Sequence, residues 1–261
     1  MRAEAAAAAL LAARRDGRPA GPLPSDIAPR TNDEGAIVQV ALAGLLGAIP
    51  PGGFKIGAIA RRMQENLGIS APIAGFMQAC DIHDSGVALP YAAFRGVGVE
   101  CELAVRLARD LPAVPTDAAT AAFAVGELFA AIEIVENRYG QPPTGGLKVL
   151  GVPTLIADQM FHAACVIGAA SDWRGLDLTT LRGRLLRDGV EVDSGLGGDL
   201  MGHPMASLAW LAGSPEAHAF GGLRAGQVVM LGSVTPPLWL DGPARVTVQF
   251  DHLPPVTLTL A

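Results

Sequence analysis

The sequence predicts an α+β chain with a mixed, strongly curved β core. Alternation of apolar and polar residues at period two recurs over residues 97–105, 244–250 and 256–260, as in half-buried strands. The helix-like stretches do not alternate with the strands as βαβ units require. The 32 glycines and 20 prolines supply turns for many short strands, and a chain of 261 residues that is half apolar can bury a sizeable core.

Taken in order, residues 1–15 read as an Ala-rich helix rather than a signal peptide, because Glu4 interrupts the apolar run and Arg14 and Arg15 end it. A proline- and glycine-rich link follows over 17–30. Thr31 and Glu34 have capping-box spacing ahead of an apolar stripe at Ile37, Val38, Ala41, Leu42, Leu45 and Leu46. Residues 1–52 are therefore expected to form a small N-terminal helical region, and 53–261 the main domain.

A short strand over 54–59 carries Lys55 among apolar neighbours, which composition alone reads as a snorkelling lysine. Residues 61–67 form a helix closed by Gly68. The segment 70–90 looks irregular, with His83 and Asp84 in a turn or a lid. A helix begins at Thr116 or Asp117, runs to about 130 and leads into a strand over 131–135. Residues 137–153, with Arg138 and Lys148, read as loop. Over 158–168, helical spacing would set Asp158 and His162 on one side; His162 is then either a packed core residue or a functional group. Asp188-Gly189 marks the turn of a hairpin over 184–192. The glycine-rich stretch 195–202 lacks the spacing of a phosphate or dinucleotide loop. A short helix over 204–211 and strands at 227–231, 244–250 and 256–260 complete the chain.

The composition excludes some function classes. A net charge of −6 argues against nucleic acid as main partner, since that needs a basic face. No stretch approaches the roughly 20 apolar residues of a membrane span. Cys80, Cys101 and Cys165 are isolated and odd in number, which suits a reducing cytoplasm better than a disulfide framework.

The chemistry centres on residues 97–105. On a strand, Glu100 and Glu102 project from one face, and Val99, Cys101 and Leu103 from the other. Adjacent carboxylates are tolerated if solvated, if one is protonated, or if a cation lies between them. Glu133 sits between two isoleucines in the strand over 131–135 and needs a partner if its face is buried. A solvated sheet face is the common case for such a pair; three converging carboxylates would instead suit a hard cation, Mg2+ or Mn2+.

Several segments in order, including Lys55-Ile56-Gly57, Met63-Gln64, Leu67-Gly68, Val99 to Leu103, Ile132 to Val135 with Arg138, Met201 to Pro204 and Gly232 to Pro236, resemble the fumarylacetoacetate hydrolase superfamily in its 2-keto-4-pentenoate hydratase branch. The resemblance implies a mixed β-sandwich or β-roll core, with Glu100, Glu102 and Glu133 as ligands of Mg2+ or Mn2+. It places family lysines at Lys55 and Lys148, Arg138 and Asp158 near the substrate, and His162 where usual members carry small polar residues. The implied activity is hydration of a 2-hydroxy-2,4-dienoate to a 4-hydroxy-2-oxo acid. Alternatives are decarboxylation of a 2-oxo-hexenedioate, C–C hydrolysis of an acylpyruvate, or a degenerate paralogue serving as a structural subunit. The implied partners are a small 2-oxo acid, further copies of the chain, and a related decarboxylase or hydratase.

Two departures bear on the pocket. Pro72-Ile73-Ala74-Gly75 lacks the usual acid, and Asp158 is followed by Gln159-Met160-Phe161-His162 instead of small polar residues.

Overall fold

The computed structural model of the chain describes residues 1–140 and 147–261. It opens with helices α1 (Arg2–Arg15) and α2 (Asn32–Leu45), strand β1 (Gly53–Gly57) and helix α3 (Arg61–Leu67). Strands β2 (Ile73–Met77), β3 (Ile82–Asp84), β4 (Val87–Leu89) and β5 (Val97–Leu107) follow, then helix α4 (Ala118–Ala122) and β6 (Val125–Glu136). Helix α5 (Val152–Ala157) leads into β7 (His162–Ile167) and the hairpin of β8 (Arg182–Arg187) and β9 (Val190–Leu196). Helices α6 (Pro204–Ala212) and α7 (Pro215–Ala219) precede β10 (Val228–Ser233), β11 (Leu238–Trp239), β12 (Ala244–Phe250) and β13 (Val256–Leu260).

One sheet orders its strands β2-β1-β10-β5-β6-β7-β3, with β11 added on β5, and the other runs β4-β13-β12-β8-β9. Both are mixed: β1 runs parallel to β10, β3 to β7 and β4 to β13, while the remaining pairs are antiparallel. The first sheet curls, so that a Cβ on Gly75 of β2 would stand 3.1 Å from Gln159, just ahead of β7.

Strand β5 shows what the curl encloses. Val97, Val99, Cys101, Leu103 and Val105 face the main core, which the second sheet covers. Ala104 faces a smaller apolar interior with Met77, Phe129, Ala131, Cys165, Ile167, Val228 and Met230. Glu100 and Glu102 share Ala104's parity and project toward that smaller interior.

Helices α1 and α2 bury Ala6, Ala7, Leu10, Val38 and Leu42 in the same core as Phe54, Ile56 and Leu155. The approach of α2 to α5 needs a residue without a side chain at Gly35, where a Cβ would fall 2.6 Å from the Pro153 carbonyl. Thr31 caps α2 by accepting from Glu34 N–H at 3.2 Å, and the hairpin turns at Asp188 and Gly189, both at positive φ as a two-residue turn demands.

Three expectations are corrected. The helix starting at Asp117 stops at Ala122; from Val125 the chain is strand, paired with β5 along its length and burying Leu128, Ala130 and Ile132. That pairing outweighs the helix propensity of the alanines. Segment 70–90 holds three short strands, and His83 and Asp84 lie on β3 at the sheet edge rather than in a turn or lid. Residues 158–168 are not helical: α5 ends at Ala157, Gln159, Met160 and Phe161 take positive φ, and β7 begins at His162. Asp158 and His162 therefore share no helix face. The prolines and glycines expected in the loop after Arg138 fall in 141–146, outside the described residues.

Candidate active site and metal centre

The strand register builds the site. Glu100 on β5 lies directly across from Glu133 on β6, and Glu102 lies two pairs along, across from Ala131. Ligand oxygens of all three lie within 4.8 Å of one another. Glu102 and Glu133 are 1% exposed, and Glu100 is half-buried. The Glu102 carboxylate accepts from Gly232 N–H at 3.0 Å through Oε2, while its buried Oε1 has no partner.

Two further groups converge on Glu133. The buried Lys55 ammonium on β1 stands 3.7 Å from Glu133 Oε1 and donates to the Met160 carbonyl at 2.7 Å. His162 Nδ1 lies 2.8 Å from the same Glu133 oxygen, and its buried Nε2 has no partner.

The electrostatics show what the cluster lacks. Burial, reinforced by Glu133, pushes the Glu100 carboxyl up to about 8 despite Lys55. Burial, then Glu133 and Glu100, holds Glu102 well above the ordinary carboxylate value. Burial acts upward on Glu133 too, but Lys55 and the His162 hydrogen bond outweigh it, and its carboxyl lies below the usual range. Three carboxylates beside one lysine leave an excess of buried negative charge when all ionise. The unpartnered Glu102 oxygen and the all-oxygen donor set fit a hard divalent cation held by Glu100, Glu102 and Glu133.

A pH signature follows. Without metal the folded chain holds protons that the unfolded chain would release, because the Glu100 carboxyl lies above its ordinary value of 4.5. Metal-free stability is expected to fall as pH rises from about 4.5 to about 8, and the stabilisation by added Mg2+ to grow over the same window. Thermal melts with and without Mg2+ across this range check it; a metal-free melting temperature that climbs throughout would contradict the buried cluster.

The structure brings Lys55 and His162 to the carboxylates but not the other expected groups. Asp158 is fully buried, paired with Arg14 at 2.6 Å and Arg138 at 3.2 Å. Arg138 also donates to the carbonyls of His162 at 2.7 Å and Asp158 at 2.8 Å. As substrate contacts Asp158 and Arg138 are thus corrected: buried charges require partners, and these neutralise each other and brace the 159–161 turn. Lys148 sits exposed on a 3-10 turn, Leu147–Val149, with no ion pair to the cluster.

Sequence reasoning missed Arg14, which reaches Asp158 across 144 positions, and the carbonyl of Met160. It also missed Thr235, whose buried hydroxyl has no partner two residues after Ser233, the register partner of Glu102; its place in Gly232 to Pro236 was the available signal. A cavity of about 600 Å³ lies elsewhere, between residues 71–72, 115–118 and helices α6 and α7, and none of the cluster residues lines it.

Against known proteins, the model of the fumarylacetoacetate (FAA) hydrolase C-terminal family matches residues 60–261. The chain belongs to that family. It is 30% identical over 214 residues to a 2-keto-4-pentenoate hydratase of Burkholderia vietnamiensis (strain G4 / LMG 22486), covering 79% of this chain and 77% of that one. It is 27% identical over 194 residues to a 2-oxo-hept-4-ene-1,7-dioate hydratase of Escherichia coli, covering 74% and 71%. In fold it is similar to the 4-oxalocrotonate decarboxylase from Pseudomonas putida G7 complexed with magnesium and adipate, with TM-score 0.89 and 21% identity over 99% of this chain and 97% of that one. The family fold is the expected mixed α+β architecture with curled sheets and small N-terminal helices. Among the described residues no helix is long and apolar enough to cross a membrane.

Proposed function

We propose that the chain is a hydratase that requires Mg2+ or Mn2+ and converts a 2-hydroxy-2,4-dienoate to a 4-hydroxy-2-oxo acid. The observation that carries this is the convergence of Glu100, Glu102 and Glu133 beside the buried Lys55, in a chain whose relatives are hydratases.

A divalent cation held there would act as a Lewis acid toward the carboxylate and 2-oxo oxygens of the substrate. Lys55, held by the Met160 carbonyl, provides a fixed positive charge for the substrate carboxylate. His162, with Nδ1 on Glu133, presents Nε2 as the proton-transfer atom. In the ketonisation step the enol O–H proton leaves and C5 gains a proton, giving an α,β-unsaturated 2-oxo acid. Water then adds its oxygen to C4, while C3 gains a proton. The near-complete burial of Lys55, Glu102 and Glu133 keeps bulk water from these groups. A homo-oligomer and a cytoplasmic location are part of the same reading, and the three cysteines are free.

The test is product analysis by NMR with Mg2+ present. 2-Hydroxypenta-2,4-dienoate is expected to give 4-hydroxy-2-oxopentanoate, whereas release of CO2 from a 2-oxo-hexenedioate, or of pyruvate from an acylpyruvate, with no hydration, would replace the hydratase reading.

A further inference from the structure

We infer that a second copy of this chain covers the outer face of helix α2, the two helices packing against each other across a twofold axis; this is the surface of the homo-oligomer proposed above, and it rests on that part of the reading. Beyond its first turn α2 is apolar on every side. Its inner face buries Ala36, Val38, Leu42 and Ala43. The buried Gln39 is taken up by the backbone of β2, donating to the Ala74 carbonyl at 2.7 Å and accepting from Phe76 N–H at 3.2 Å. On the outer face Ile37, Ala41 and Leu45 follow at four-residue spacing, with Val40 and Gly44 beside them. Ile37 is 54% exposed, Leu45 47% and Ile49 55%. Ile49 lies beyond the helix but joins the same stripe, since its Cδ1 would stand 3.9 Å from a Cβ on Gly44. A helix that is hydrophobic all round is ordinarily covered on both sides.

Charge selects what covers it. Residues 35–54 contain no charged side chain, whereas the chain as a whole carries a net charge of −6. Two copies repel each other as wholes, and on this face they meet without setting like charges opposite one another. A lipid surface is a poorer occupant: an interfacial helix carries Lys or Arg along its polar side, and the charges that open α2 are Asp33 and Glu34. The shape suits a copy of itself. Ala41 and Gly44 leave a shallow trough between Ile37 and Leu45. An antiparallel crossing at Ala41 sets Ile37 of each copy against Leu45 of the other, so that one patch serves both sides. Three large aliphatic side chains, each about half exposed, make a patch on the order of a few hundred Å² per copy. That is enough for the apolar centre of an interface burying about 800 Å² per partner.

The experiment is the mass of the full chain in solution, by sedimentation equilibrium at micromolar concentration with Mg2+ present. The parent is expected to be a multimer. Ile37→Glu and Leu45→Glu each set a carboxylate into the contact and should halve the mass, while Val190→Glu, at a 66% exposed position on β9, should leave it unchanged. Circular dichroism and a thermal melt establish that each variant is folded. A second variant needs no added charge: Ala41→Cys, made with Cys80→Ser so that only the buried Cys101 and Cys165 remain, should link two copies on oxidation. A monomeric parent overturns the surface and the homo-oligomer together and leaves the proposed reaction standing. A multimer whose mass neither glutamate changes, or whose Ala41→Cys form does not cross-link, overturns the surface alone.

Discussion

A Glu100→Gln/Glu102→Gln double variant is expected to fold, to lose Mg2+ and Mn2+ binding, and to turn over 2-hydroxypenta-2,4-dienoate about a thousandfold more slowly. Folding should survive because both carboxyls are already pushed toward their protonated form in the metal-free chain, and glutamine is close to that form in size and polarity. The Gly232 N–H keeps an acceptor in the glutamine side-chain oxygen. Binding should fail because two of the three converging oxygen donors lose their charge, and a hard cation is held mainly by charge. Lewis-acid stabilisation of this kind is worth several kcal/mol, and each 1.36 kcal/mol is tenfold in rate, hence the expected size. Calorimetric metal titration and steady-state kinetics read the two effects separately. A folded variant that binds Mg2+ and turns over like the parent would end the metal-centre reading.

Replacing Asp158 with alanine is expected to destabilise the protein by about 3–5 kcal/mol, the usual cost of removing one partner from a buried ion pair. Two guanidinium groups depend on this carboxylate. Arg14 is 18% exposed and Arg138 6%, so neither can recover its hydration in place. The loss should reach the site. Asp158 and Arg138 hold the chain entering the turn of Gln159, Met160 and Phe161, three successive non-glycine residues at positive φ. Such a turn persists only where its surroundings over-determine it. Here Gln159 donates to the Phe76 carbonyl at 2.6 Å, and the Tyr139 hydroxyl accepts from Phe161 N–H. Released, the turn would withdraw the Met160 carbonyl from Lys55 and shift His162. Urea unfolding measures the stability term, and a loss below about 1 kcal/mol would show the network to be dispensable.

The pH dependence of this network runs opposite to that of the metal cluster. Burial acts to raise the Asp158 carboxyl, but Arg14 and Arg138 outweigh it and hold it below its ordinary value of 3.8. Its contribution is therefore fully present above about pH 4 and is lost as pH falls through the lowered value.

Much of the site was legible in the sequence because it is local. Glu100 and Glu102 share a face by strand periodicity alone, and Glu133 stood out as an acid between isoleucines on a second strand. The roles expected for Asp158 and Arg138 were not legible. Both are charged types suited to contacting a substrate, and only the arrival of Arg14 from α1 shows that their charges are spent on each other. Helix α4 illustrates the same limit: its cap at Asp117 was readable, but its end was decided by β5, which takes Val125 onward into the sheet.

By itself the sequence determined the α+β class, the paired acids on one strand face and the hairpin at Asp188-Gly189, because each depends on residue periodicity or on the conformational range of one or two residues. Tertiary structure alone decided that Lys55 and His162 meet Glu133, that Asp158 pairs with Arg14 and Arg138, and that Trp239 and Phe161 pack edge to face. The first sheet brings together groups as distant in sequence as Glu102 and Gly232, 130 positions apart, and burial then dictates which charges must pair and which remain available for a ligand.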